Sequence, residues 1–194
     1  IGQGSFLGNR IFMRKFDQLY FIAIIPPLKL KDELMKLKRQ FGAKYNCKAS
    51  LNSPPHITLH MPFRYNEKKE EHFLDVLKNS IQQSPFDVEL KGFGAFIPRV
   101  IYIKTERTDS INHVFEQVKK TMRGLNIFNA GYQDRGFHPH LTIAFRDLKK
   151  SIFPAAWEEY EQKSFEATFK VEEVMLLKHN GSHWDEYKAI PLEK

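Results

Sequence analysis

One cysteine, Cys47, stands in a chain of 194 residues. A single thiol excludes an intramolecular disulfide and a cysteine-built metal centre. It fits a reducing compartment, so the expected localisation is cytoplasmic. Long apolar runs are also missing. The best of them, LYFIAII at 19–25, is far shorter than the ~18–20 residues that span a bilayer and stops at Pro26-Pro27. It reads as a buried strand, and no membrane partner is expected. No Pro/Gly/Ser-rich linker divides the chain, which argues for one packed unit. No secretory signal is expected in the opening stretch. The residues IGQGSFLGNRIF before Met13 read as a flexible lead-in, outside the fold.

What is present is core-forming material and positive charge. Hydrophobic residues make up 42% of the chain and include 17 Phe, enough to exclude a disordered protein. The net charge of +7 favours anionic partners such as RNA or nucleotides. The basic residues are spread along the chain, so charge alone is equally consistent with a Lys-rich solvated surface.

Hydrophobic spacing predicts strands at 18–25, 56–63, 86–96, 99–106 and 140–147, and a strand or bulged strand pair at 165–180. A last edge strand is expected at 184–192. Helices are predicted at 28–45, 67–83, 110–125 and 153–163. Gly92 and Gly94 inside a strand pattern suggest a bulge or a close backbone approach. The order strand, helix, His-strand, helix, strand occurs twice, at roughly 18–96 and 99–180. The expectation is an α+β, two-lobed duplicated fold in one domain.

The two copies share a short pattern, PHITL at 55–59 and PHLTI at 139–143. Eight His and six Thr would give roughly 0.2–0.3 His-x-Thr matches by composition; two occur, each preceded by Pro. In a strand, residues i and i+2 share a face. His56 and Thr58 therefore project together, as do His140 and Thr142, while Ile57 and Leu141 point the other way into a core. If the copies meet about a pseudo-twofold axis, the two histidines approach one cleft. Imidazole can act as acid or base near neutral pH. One histidine would take a proton from an attacking water or hydroxyl, and the other would give one to the departing oxygen. The threonine hydroxyls would donate to nonbridging oxygens of a phosphate. This scheme calls for no metal and no cofactor. Its rival is structural: a His on a strand is commonly a packed or surface residue, and Thr is a good strand former.

Paired His-x-Thr strands in a duplicated basic protein of this length resemble the two-histidine phosphoesterase superfamily. The nearest branch is the 2′,5′ RNA ligase-like, or RNA 2′,3′-cyclic phosphodiesterase, group. The likeness spans about 18–190. It implies two antiparallel sheets lining a central cleft, with outer helices. It also implies catalytic roles for His56, Thr58, His140 and Thr142, and action on a 2′,3′-cyclic phosphate or a 2′,5′ link in RNA or nucleotides, with reverse ligation possible in principle. One departure is visible. Where the family often has an aromatic residue five positions after the His, the second copy has Phe145 but the first has Met61, with Phe63 two further on. The rival within the same fold is an RNA-binding module without turnover; no protein partner is implied.

Several other residues are candidates for the site. The loop at 126–139 carries Tyr132, Arg135 and Phe137, which are expected to bind substrate by stacking on bases and holding phosphate. Arg99 and the lysines of 28–44 are lesser phosphate candidates. His60, at i+4 from His56, is expected to share its face and to line the cleft or tune His56. A zinc site with His56 lacks a third ligand. His138 reads as a loop histidine, and His72, His113, His179 and His183 as surface residues.

Overall fold

The computed structural model describes residues 17–128 and 136–193. The chain forms β1 (Asp17–Ile24), α1 (Leu28–Tyr45), a 3-10 turn (Ala49–Asn52), β2 (Ile57–Asn66), α2 (Glu70–Ser80), β3 (Phe86–Phe96) and β4 (Val100–Thr105). It continues as α3 (Asp109–Gly124), β5 (His140–Ala144), α4 (Phe153–Glu161), β6 (Glu166–Val171), β7 (Glu173–His179) and β8 (Trp184–Pro191). Local chemistry explains the boundaries. Pro26-Pro27 stops β1 and opens α1, which ends at Asn46 in the left-handed conformation, φ 51°. Thr108 caps α3 by accepting from the Ile111 backbone N–H. The apolar stripe of α3, with Ile111, Val114, Phe115, Val118 and Met122, is buried as its spacing predicts.

The strands form one antiparallel sheet of eight, in the order β6-β3-β4-β5-β2-β1-β7-β8. This corrects the expectation of two sheets. The junction is the pairing of β2 with β5, where Ile57 lies opposite Leu141. The order is palindromic about that seam, so β1 and β4, β7 and β3, and β8 and β6 occupy matching places. The halves interleave along the chain. The tight turn at 97–99 keeps β3 beside β4, while the last two strands return to pair beside β1.

Each face has its own apolar cluster. The large core joins Ile22, Ile24, Ile57, Leu59, Leu141 and Ile143 of the sheet to side chains of all four α-helices described. The opposite face carries a small cluster of Phe21, Ala23, Met175 and Leu177, flanked by Ile25 and Trp184. Among the described residues no helix contributes to this second cluster. The described helices therefore cover one face of the sheet; the other face, free of described helices, is open at His56, Thr58, His140 and Thr142, each only partly buried.

Candidate active site

Ile57 and Leu141 are both fully buried in the helix-covered core. Residues on either side of each must point to the open face. Antiparallel pairing about Ile57 and Leu141 then sets His56 near Thr142 and Thr58 near His140. The four side chains named by the repeated pattern thus meet on one face, across adjacent strands.

Both imidazoles are anchored identically. His56 Nδ1 donates to the Pro54 carbonyl at 2.7 Å, and His140 Nδ1 donates to the His138 carbonyl at 2.7 Å. A carbonyl can only accept, so each Nδ1 carries the proton and each Nε2 presents its lone pair. Pro55 and Pro139 prepare this contact. Proline biases the preceding residue toward extended backbone, which directs the carbonyl two residues before the histidine onto its ring. Neither Nε2, and neither threonine hydroxyl, has a hydrogen-bond partner among the described residues. All four remain partly accessible.

The walls on the two sides differ. Phe21 packs on His56 at 4.8 Å between ring centroids, with Trp184 edge-on to Phe21 at 4.6 Å. His140 is flanked by Tyr102 at 5.0 Å and by Phe96 at 5.1 Å. Tyr102 stands there because its cross-strand partner is Gly94, where a Cβ would lie 2.6 Å from the tyrosine ring. The glycine pair expected to mark a bulge or a close approach provides both. The β3–β4 register shifts between Leu90 and Phe93, around Gly92 at φ +64°.

Burial drives the basicity of the two histidines down. The His56 pKa falls to about 4, through burial first and then repulsion from Lys38 and His140, against the Pro54 hydrogen bond. The His140 pKa is also lowered, by burial and by His138, against its own carbonyl contact. Both rings are therefore neutral at pH 7 in the free protein.

The remaining candidates separate by placement. His60 is 4% exposed and does not share the face of His56. The β1–β2 register shifts between Ala23, opposite Thr58, and Ile22, opposite His60. The extra residue turns His60 into the core, where its ring meets Phe63 edge-on at 5.2 Å and Nδ1 donates to the Met61 carbonyl. Phe137 is buried and stacks on Phe115 at 3.9 Å, which takes its ring into packing rather than onto an open face. Tyr132 and Arg135 lie outside the described residues. Arg99 is exposed and donates to the Arg146 carbonyl. His138 is an exposed loop residue, as expected, yet its ring also meets Tyr102 Oη at 3.2 Å. His72, His113 and His183 are exposed, and His179 packs half-buried on Trp184. Sequence reasoning passed over Phe21, Phe96, Tyr102 and Trp184. Only strand order reveals them, because they come from β1, β3, β4 and β8.

The profile of the 2′-5′ RNA ligase superfamily matches residues 26–183. The chain belongs to this superfamily. A Geobacillus kaustophilus protein provisionally named as a phosphoesterase is 27% identical over 176 residues, covering 88% of this chain and 94% of its own. Escherichia coli LigT, solved with 3′-AMP, superposes with a TM-score of 0.67 at 20% identity, covering 92% of this chain and 99% of LigT. TT0787 of Thermus thermophilus matches at a TM-score of 0.62 and 18% identity, over 90% and 97% of the two chains. At those identities the solved structures establish the fold of this superfamily member.

Proposed function

We propose that this phosphoesterase-family chain is a phosphodiesterase that uses His56 and His140 as an acid–base pair on a 2′,3′-cyclic phosphate or a 2′,5′ link of RNA or a nucleotide. The observation that carries the reading is the Ile57–Leu141 pairing, which brings two Nδ1-anchored histidines to one face, diagonally across the β2–β5 seam. Two free Nε2 atoms suit in-line displacement at phosphorus. One removes a proton from water as its oxygen attacks, and the other, as imidazolium, protonates the ribose oxygen whose P–O bond breaks. Thr58 and Thr142 offer hydroxyls to the nonbridging oxygens, where negative charge accumulates. Acid, base and donors all come from side chains, so the scheme requires no added cofactor.

The nucleotide part of the reading rests on the aromatic walls. Phe96 beside His140 is exposed and Trp184 near His56 is half-buried, so these two rings can meet a base on either side of the phosphate, while the buried Phe21 and Tyr102 back the histidines. LigT structures carry 3′-AMP and ATP, consistent with a fold that accepts nucleotides. The net charge of +7 favours a polyanionic substrate.

The test is turnover of a short RNA ending in a 2′,3′-cyclic phosphate, with EDTA present. The wild type should open the ring, and His56→Ala and His140→Ala should each lose on the order of 10²–10⁴ in rate while still folding and binding the product nucleotide. An RNA-binding module without turnover would bind equally well in all three proteins and open the ring in none.

A further inference from the structure

Lys38 interrupts the buried stripe of α1. Leu34, Phe41 and Gly42 of that stripe pack into the core, and Lys38 among them is 1% exposed. An ammonium enclosed this far must aim its protons at acceptors. Lys38 Nζ donates to the Ser53 carbonyl at 2.8 Å. Ser53 follows the 3-10 turn in extended conformation, φ −142° and ψ 151°. The very next carbonyl, that of Pro54, is the one that receives His56 Nδ1–H. Two consecutive carbonyls are thus gripped, one by a lysine and one by the histidine of the site.

The second motif is built differently. The carbonyl that anchors His140 belongs to His138, whose ring meets Tyr102 rather than a lysine. Among the described residues no buried cation serves His140 in this way.

We propose that Lys38 is a positioning residue for His56: its ammonium clamps the Ser53–Pro54 backbone that orients the His56 ring and sets a positive charge on the α1 side of it. The groups acting on His56 are few. Lys38 repels a proton from the α1 side and His140 from across the β2–β5 seam, while β1 contributes the uncharged ring of Phe21, backed in turn by Trp184 of β8. Burial holds Lys38 at about 7, so it is still charged in the lower range where His56 titrates. The kinetic side of this proposal rests on the phosphodiesterase reading; the protonation side does not.

The experiment is an NMR titration of the His56 ring nitrogens in the wild type, Lys38→Met and Lys38→Arg, with no substrate present. Removing the charge should shift the His56 titration to higher pH. Lys38→Arg keeps charge and donors and should hold it low. In the wild type, the His56 signals should also show a second, smaller inflection near neutrality that coincides with the Lys38 Cε titration. A His56 that titrates alike in Lys38→Met and wild type overturns the proposal. Should Lys38→Met fail to fold, a wild-type ring lacking the second inflection overturns it. The pH–rate profile on the cyclic-phosphate RNA supplies the functional arm. The limb governed by His56 should move to higher pH in Lys38→Met and return in Lys38→Arg. Absence of turnover in every protein would count against the phosphodiesterase reading alone.

Discussion

Ile57 and Leu141 sit directly opposite each other on neighbouring strands, and neither has any exposed surface. This single cross-strand pair turns two sequence motifs 84 residues apart into one constellation, because strand alternation sends the flanking His and Thr of each copy to the opposite face.

The seam should therefore be sensitive in function beyond its contribution to stability. Leu141→Ala removes a fully buried side chain and should cost about 2–5 kcal/mol, as should Leu77→Ala on α2. Denaturant melts will show whether the two are matched. With stabilities matched, Leu141→Ala should slow cyclic-phosphate opening further than Leu77→Ala, since only the former loosens the β2–β5 register. Equal rates in the two folded variants would mean that the seam does not set the site.

Much of this was legible in sequence, for reasons that particular residues show. The helices and strands follow from apolar spacing, from Pro26-Pro27 and from the tight turn at 97–99. Both His-x-Thr copies stand out by period two and by the Pro before each. What sequence could not show was pairing. Whether β2 meets β5 depends on long-range contacts that no local pattern encodes; the two sheets that the resemblance implies are one sheet here. His60 failed for a related reason. Period-two counting assigns it the face of His56, but a bulge against β1 shifts the count by one residue. Phe137 failed because an aromatic in a loop is equally able to stack on Phe115 beneath it. Lys38 went unseen as a buried residue because the leucines around it already satisfied the helical stripe.

The pH dependence of catalysis follows from two lowered histidines. The product of one neutral and one protonated ring gives a bell. With His56 at about 4 and His140 below its usual 6.5, both limbs of the kcat/KM profile should fall on the acid side of 6.5. The bell for kcat should lie at higher pH, because the bound phosphate anion favours imidazolium. Initial rates from pH 3.5 to 9 on the cyclic-phosphate RNA will decide. A rate that rises steadily through neutrality would remove the protonated histidine from the scheme.

Stability should also depend on pH, with a sign set by His60. Its folded pKa is pushed down to about 4 by burial, while in the unfolded chain it returns toward 6.5. Below 6.5 the unfolded state binds the extra proton, so the folded state is fully favoured above that value and loses ground down to about 4. The loss is on the order of 2–3 kcal/mol from His60 alone. His56 and His140 add to it in the same direction. His60→Asn retains a donor for the Met61 carbonyl and removes the titration. Urea melts at pH 7.5 and 4.5 should therefore differ less in His60→Asn than in the wild type.

Gly94 offers the sharpest test of the wall beside His140. A Cβ there would come within 2.6 Å of the Tyr102 ring, and Tyr102 packs on both His138 and His140. Gly94→Ala must displace that ring, because the β3 backbone that would carry the methyl is held by its pairing with β4. The added methyl should cost modest stability, about 1–3 kcal/mol as overpacking usually does. Its functional cost should be larger, with kcat/KM on the cyclic-phosphate RNA falling at least tenfold. The double variant Gly94→Ala/Tyr102→Phe keeps the clash with the ring carbons, whereas Gly94→Ala/Tyr102→Leu relieves it. If the displaced ring is what blocks the site, activity should recover in the leucine pair and not in the phenylalanine pair. Recovery in neither, with both proteins folded, would mean that the tyrosine itself is required beside His140 rather than merely out of the way.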